Sequence, residues 1–295
     1  MEKTVPFKVI IPNEKKGQRL DNFMRVDLGL SRSQVRRLKK SDGIKLNGNL
    51  VWVSTVVNGG EELVLEFAPK PQQFAIENIP LSIVYEDADL VVINKPPGMV
   101  VHPVKQYQSG TIANALQYHW QQNNELASFH PVHRLDRNTS GLIVIAKNSW
   151  VHQQLSLQLT NNLHRLYFAF CHGIPQRKYG KIDLPIKTNP ESPKRLIATD
   201  GKPALTRYRV IKAANHNCWL IVKLYTGRTH QIRVHLAHLG LPLWGDELYG
   251  KADPEINRPA LHAVRLSFIH PRTRQRMCFT APIPADLKLL LPKIF

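Results

Sequence analysis

The chain has 295 residues, 43% of them hydrophobic and 21% charged, enough for a full core in one large or two unequal domains. Its charge is lopsided: 40 Lys and Arg face 22 Asp and Glu, a formal +18, which favours a polyanion as partner, nucleic acid ahead of anionic membrane. No stretch approaches the ~18 apolar residues of a membrane span, and Met1 to Gln18 holds no signal-peptide core, so the chain is expected in the cytoplasm.

Val5 to Ile11 alternates like a short strand before a polar break. Leu20, Phe23, Met24 and Leu28 then recur at helical spacing up to Gly29, and Ser31 is a good N-cap for a second helix through Lys40. Ile44 to Gly48 reads as a strand entering an Asn-Gly turn, and Glu62 to Phe67 as a strand leaving this small unit. The proline-bearing stretch Ala68 to Gln73 reads as a linker, so the domains are expected to span 1–70 and 71–295.

Beyond the linker, strands are expected over Leu90–Ile93, Leu142–Ala146, Leu163–Cys171, Ala204–Ile211, Trp219–Tyr225 and Leu261–Ile269. Helical patterns fall over Thr111–Trp120, Trp150–Leu159 and Thr229–Leu239, the last closed by Gly240 before Pro242. The order is not a regular βαβ alternation, so the fold class is α+β, with a mixed, largely antiparallel sheet behind the small N-terminal module. Cys171, Cys218 and Cys278 have no zinc or disulfide spacing and are expected reduced, in or near the core.

On the helix from Ser31, Arg32, Arg36, Lys39 and Lys40 fall at i, i+4, i+7 and i+8 and form one stripe, with Val35 and Leu38 free to pack inward. Alone, such a stripe suits a solvated face as well as a track for phosphates. Together with Gly17-Gln18-Arg19-Leu20-Asp21-Asn22-Phe23, Ser31-Arg32-Ser33-Gln34-Val35 and Lys45-Leu46-Asn47-Gly48, it resembles the S4 RNA-binding domain over roughly residues 17–67. That resemblance implies a helix lying against structured RNA and reading backbone shape.

Asp136 stands between Arg134 and Arg137 in a loop feeding the apolar strand Ile143 to Ala146. Local residues leave two readings open, a structural ion pair or a functional carboxylate. The longer run His133-Arg134-Leu135-Asp136-Arg137-Asn138-Thr139-Ser140-Gly141-Leu142, with the distant Thr226-Gly227-Arg228-Thr229-His230-Gln231-Ile232-Arg233-Val234-His235, resembles the RluA family of pseudouridine synthases. Asn94-Lys95-Pro96-Pro97-Gly98, Val101-His102-Pro103, Gly245-Asp246, Tyr249-Gly250 and Leu261-His262-Ala263 extend the likeness across residues 80–280 in the family's order.

The resemblance implies cleavage of a uridine N1–C1′ bond, turning of the uracil, and joining of C5 to C1′, with no metal or other cofactor. It makes Asp136 the catalytic carboxylate, by attack at C1′ or by removal of the 2′ proton, and Arg228 its bidentate partner. It places Arg134 in the space left by the flipped nucleotide, Tyr167 on the target base and Ile232 in the uracil pocket. Arg165 departs from the family's usual lysine, which leaves its role open. His102, His133, His230 and His262 sit in motif segments without metal-ligand spacing and read as scaffold, while Trp52 and Trp244 read as core or RNA-facing platforms.

The expected partner is RNA, ribosomal RNA ahead of tRNA, acted on by a monomer. An RNA-binding or ribosome-assembly factor without activity is the reading from another class, and the joint presence of Asp136, Arg228 and Tyr167 speaks against it.

Overall fold

The computed structural model describes residues 6–68 and 74–293, so residues 69–73 of the expected linker lie outside the described residues. The N-terminal module is a four-stranded antiparallel sheet carrying two helical segments. Its strands are β1 (Phe7–Ile10), β2 (Ile44–Leu46), β3 (Asn49–Leu50) and β4 (Glu62–Leu65), in spatial order β1-β4-β2-β3. Asn47 and Gly48 join β2 to β3 with φ of 48° and 82°, the pair of positive angles that a two-residue hairpin turn needs.

The helical run expected from Arg19 to Gly29 begins as α1 (Leu20–Asn22) and then widens into a π-helical turn over Phe23–Asp27. Leu20, Phe23 and Met24 stay buried, and the turn delivers the Leu28 and Gly29 carbonyls to side chains 122 and 124 positions along. Trp150 Nε1 donates to Leu28 O at 3.1 Å and Gln153 Nε2 to Gly29 O at 2.8 Å. The second helix, α2 (Arg32–Lys40), starts at a capping box in which Ser31 and Gln34 each satisfy the other's backbone N–H.

The second unit is built on a ten-stranded sheet. Its main path runs β10 (Tyr179–Asp183), β13 (Leu205–Ala214), β14 (Asn217–Leu224), β9 (His164–His172), β15 (Leu261–Ile269), β8 (Ser140–Ala146), β6 (Leu90–Lys95) and β5 (Ile83–Glu86). β7 (His130–Pro131) pairs with β8, and β16 (Arg276–Thr280) with β15. All neighbours are antiparallel except β8 and β15, so the expected mixed, largely antiparallel α+β class is what the chain adopts. β11 (Ile186–Thr188) and β12 (Arg195–Ile197) form a separate hairpin, and the helices are α3 (Ile112–Gln122), α4 (Ser149–Gln158), α5 (Gln231–His238) and α6 (Ala285–Lys288).

Continuous apolar runs mark strands buried on both faces. Val91, Ile93, Ile143 and Ile145 point to the core beneath α3, where Ile112, Leu116 and Trp120 cover them. Leu90, Val92, Leu142 and Val144 point the other way, into a core that also contains Phe7, Leu20, Phe23, Leu38, Leu65 and Trp150. The N-terminal module therefore shares a hydrophobic core with the large sheet. Gln34 Nε2 to Ser149 O (2.8 Å), Arg37 Nη2 to Ser149 Oγ (3.2 Å) and Arg272 Nη1 to Pro6 O (2.9 Å) add polar ties across the same junction.

Gly141 has φ +110°, and a Cβ there would stand 2.3 Å from Ala263 O, so only glycine lets β8 run against β15. Cys171 and Cys218 face each other across β9 and β14 and are buried, but Cys278, expected near the core, is exposed. It lies on the outward face of β16, where burial alternates along the strand. No helix among the described residues is long and apolar enough to cross a membrane.

Candidate active site

A cleft of about 600 Å³ opens where three segments meet: the His133–Asp136 loop before β8, the Val100–Val104 loop before α3, and the Leu224–Thr229 link from β14 to α5. Asp136 lies in its wall with a partly exposed side chain, and its carbonyl accepts from Thr139 N at 3.1 Å to close the turn. Lys95, fully buried at the end of β6, holds this loop by donating to the carbonyls of Pro96 (2.8 Å), Met99 (2.9 Å) and Arg137 (2.9 Å). Burial pushes the Lys95 ammonium down to about 7, against the pull of the Asp136 charge. On the far side of the turn, Arg258 Nη1 donates to Asn138 O at 3.2 Å while its fork grips Asp286. Arg137 points away, to Gly98 O and the Tyr107 hydroxyl.

The guanidinium nearest Asp136 belongs to Arg233, in the first turn of α5, with Nη1 3.9 Å from Oδ2. Arg233 does not float there. Its Nε and Nη2 donate to the fully buried Asp246 carboxylate at 2.7 Å each, and Asp246 also accepts the backbone N–H groups of Leu248 and Tyr249. Burial works against the Arg233 cation, but Asp246 first and Asp136 second outweigh it, so its pKa rises. The preceding loop is wired by Gln231, whose Oε1 accepts from Thr226 Oγ1 (2.8 Å) and Arg228 N (2.9 Å) while Nε2 donates to Leu205 O and Thr206 Oγ1. His230, left-handed at φ 58°, turns the chain into the helix.

A sequence profile of the RNA pseudouridylate synthase family matches residues 89–238. The chain is 40% identical over 270 residues to YjbO of Bacillus subtilis, an uncharacterised RNA pseudouridine synthase, covering 90% of this chain and 95% of that one. It is also 40% identical to ribosomal large subunit pseudouridine synthase D of Haemophilus influenzae, covering 94% of this chain and 91% of that one. The chain belongs to the RNA pseudouridine synthase family.

Its fold is that of the family's solved structures. Human RNA pseudouridylate synthase domain containing 4 superposes with a TM-score of 0.59 at 22% identity, covering 72% of this chain and 92% of that one. Domain containing 1 gives 0.56 at 25% identity, covering 76% and 97%.

Within this synthase the expected site residues are not all together. Arg228, expected to pair with Asp136, instead donates from Nε to Pro203 O at 3.0 Å and makes no ion pair with the carboxylate among the described residues. The reason is the helix start: α5 begins after His230, so Arg233 leaves its first turn towards Asp136 while Arg228 stays in the loop outside. Arg134 is exposed and lines both the main cleft and a neighbouring cavity of about 440 Å³. Tyr167 and Ile232 lie beneath the cleft, almost wholly buried in one apolar cluster with Leu135 and Leu224. Burial raises the Tyr167 phenol, opposed by the Arg165 cation and reinforced by Asp136.

Arg32, Arg36, Lys39 and Lys40 are all exposed on α2, and Val35 and Leu38 are buried beneath them. Among the described residues one trio, Asp87, Asp89 and His270, has metal-like spacing. Its carboxylates are already used: Asp87 accepts from Tyr85 Oη and lies 3.0 Å from His270 Nε2, and Asp89 is gripped by Arg272 at 2.6 and 2.7 Å.

Sequence reasoning missed Arg233 and Lys95 as organisers of the site, although both stand in quoted motifs. The available signal was the short spacing from Gly245-Asp246, a buried acid that needs a basic partner.

Proposed function

We propose that this chain isomerises specific uridines of large-subunit ribosomal RNA to pseudouridine, with Asp136 as the reacting carboxylate. One observation carries the reading: Asp136 is the only carboxylate among the residues lining a cleft whose other charged walls are Arg134, Arg165 and Arg228. A hydrolase acting on glycosidic bonds would ordinarily need two acids there. A lone carboxylate suits a reaction in which C1′ gains positive character and is met either by attack or by loss of the 2′ proton. Arg233, fixed by Asp246, stands 3.9 Å from that carboxylate without hydrogen-bonding to it.

Arg134 enters the space vacated by the flipped uridine, Tyr167 stacks on the base, and Ile232 closes the apolar side of the pocket. Arg228 serves the RNA backbone together with Lys187, Arg195 and Lys202, which line the neighbouring cavity with it. The module over 17–67 acts as an S4-like RNA clamp, its α2 stripe of Arg32, Arg36, Lys39 and Lys40 lying along phosphates, ahead of a catalytic domain from 71. The enzyme works as a cytoplasmic monomer without a cofactor. The relatives named ribosomal large subunit pseudouridine synthase D support ribosomal RNA over tRNA.

The test is tritium release from C5 of labelled uridine in large-subunit ribosomal RNA and, separately, in bulk tRNA. Release from the ribosomal RNA, lost in Asp136→Asn, is expected. Release only from tRNA overturns the target, and equal release by parent and variant overturns the role of Asp136.

A further inference from the structure

Arg165 is the one cation of the cleft that neither exposure nor a counter-ion explains. It sits on β9, two residues before Tyr167 and on the same inward face, with about 5% of its surface exposed. Among the described residues it forms no ion pair. Nη2 reaches Thr226 O at 3.3 Å, a long bond, and Nε is buried with no partner at all. Room for the fork is left by Gly227, where a Cβ would come within 3.1 Å of Nη1. Beside it His133 is buried, and both of its ring nitrogens lack a partner. Burial first and the Arg165 charge second push its pKa down to about 3, so the imidazole is neutral and has one N–H to offer. Both side chains line the cleft that contains Asp136.

A buried guanidinium without a counter-ion, next to a buried imidazole without a hydrogen bond, is costly unless something from outside completes them. What fits is an oxygen bearing negative charge. We propose that Arg165 and His133 form an oxyanion subsite at the inner end of the cleft, filled by the substrate. The inference rests on the pseudouridine synthase reading.

Two substrate oxygens have the required chemistry. When N1–C1′ breaks, its electron pair leaves with the uracil and spreads over N1, O2 and O4. C5 then gives a π pair to C1′ and loses its proton, and N1 gains one, so the ring charge exists only between the two events. A cation on O2 or O4 lowers the cost of that interval and acts on the rate. The other source is a phosphate beside the flipped nucleotide, which acts on affinity.

The experiment compares the parent with Arg165→Met and Arg165→Lys on a transcript of large-subunit ribosomal RNA, with Asp136→Asn alongside. RNA affinity is measured against salt, and single-turnover loss of the N1–C1′ bond is followed for uridine and for 5-fluorouridine, whose base is the more acidic leaving group and whose C5 carries fluorine in place of the proton, so that only bond cleavage is compared. For the uracil oxygen, Arg165→Met slows uridine conversion by about 100-fold with affinity unchanged, and Arg165→Lys recovers part of it. The deficit shrinks for 5-fluorouridine, a change that a merely structural role would not produce. For the phosphate, affinity falls and the salt slope drops by about 0.7–0.9, one contact's worth, with the saturated rate unchanged.

Rate, affinity and slope all within twofold of the parent, at an unchanged melting temperature, overturn the subsite. If Arg165→Met does not fold, Arg165→Gln carries the same comparison. A parent no faster than Asp136→Asn fails the activity reading instead, and the subsite is then decided by affinity and slope alone, unchanged values overturning it.

Discussion

Asp246→Asn tests whether the site depends on the Arg233 clamp. The native carboxylate is fully buried and accepts four hydrogen bonds, two from Arg233 at 2.7 Å and two from the Leu248 and Tyr249 amides at 3.2 Å. The amide keeps the shape but turns an N–H toward the guanidinium and removes the charge that balances it. Breaking one partner out of a buried ion pair costs about 3–5 kcal/mol. For a chain of this size each kcal/mol moves Tm by about 2–4 °C, so a drop of about 6–20 °C is expected in a thermal melt. Asp200→Asn is the control, since Lys187 and Asp200 are 49% and 61% exposed and removing that pair leaves the melt unchanged. Activity falls too. Released from Asp246, the guanidinium closes the present 3.9 Å gap to Asp136 to hydrogen-bond distance, and a misplacement of about 1 Å at a reacting group costs about 100-fold in single-turnover rate. A variant that melts with the parent and turns over at the parent's rate refutes the reasoning.

Four further outcomes follow from the same geometry. His133 and His262 are lowered to about 3 and about 4, chiefly by burial, so below pH ~6.5 the unfolded chain takes up protons that the folded chain refuses. Their contribution is complete above that pH and lost as pH falls, by up to about 1.4 kcal/mol per unit for each; urea unfolding at pH 7 and 5 should show a shallower dependence in His262→Gln. Gly141→Ala cannot place its Cβ 2.3 Å from Ala263 O, and little folded protein should be recovered at any temperature, as read by circular dichroism. Lys95→Met strips donors from three carbonyls, for about 3 kcal/mol or more, and should lower single-turnover rate while RNA affinity holds. Arg32→Glu with Arg36→Glu should weaken RNA binding and flatten its salt dependence, and an unchanged slope would assign the stripe to solvent.

Elements with strong local signals were legible from sequence. The expected strand Leu261–Ile269 has those bounds in the structure, Thr111 caps α3, and Gly240 closes α5 at φ +73°. What escaped was β5, β10, β16 and the β11–β12 hairpin, short segments of mixed polarity that are edge strands or lie off the main sheet. Their identity depends on a partner elsewhere in the chain: Tyr179–Asp183 is a strand because Leu205–Arg209 lies beside it. The π-helical turn at Phe23–Asp27 was hidden for the same reason, since its purpose is to meet Trp150 and Gln153. Composition suggested two units, and only packing revealed that they share one core.

The site divides along a similar line. The long motifs pointed to Asp136: a loop acid between arginines left a structural ion pair open, and only the run His133 to Leu142 together with Thr226 to His235 singled it out. The resemblance gave Arg228 as its partner, although Arg233 stands in the same ten-residue run. The choice is made by where α5 starts and by a second acid 13 residues beyond Arg233. Asp246 takes two of the donors on Arg233 and leaves Nη1 facing Asp136 at 3.9 Å, too far for a hydrogen bond and near enough for charge to act. Held this way, the guanidinium stands beside the carboxylate without occupying either of its oxygens. An Arg228 fork closed on Asp136 would have covered those oxygens, whereas Arg228 turns to Pro203 O and the arrangement in the structure leaves them open to the cleft.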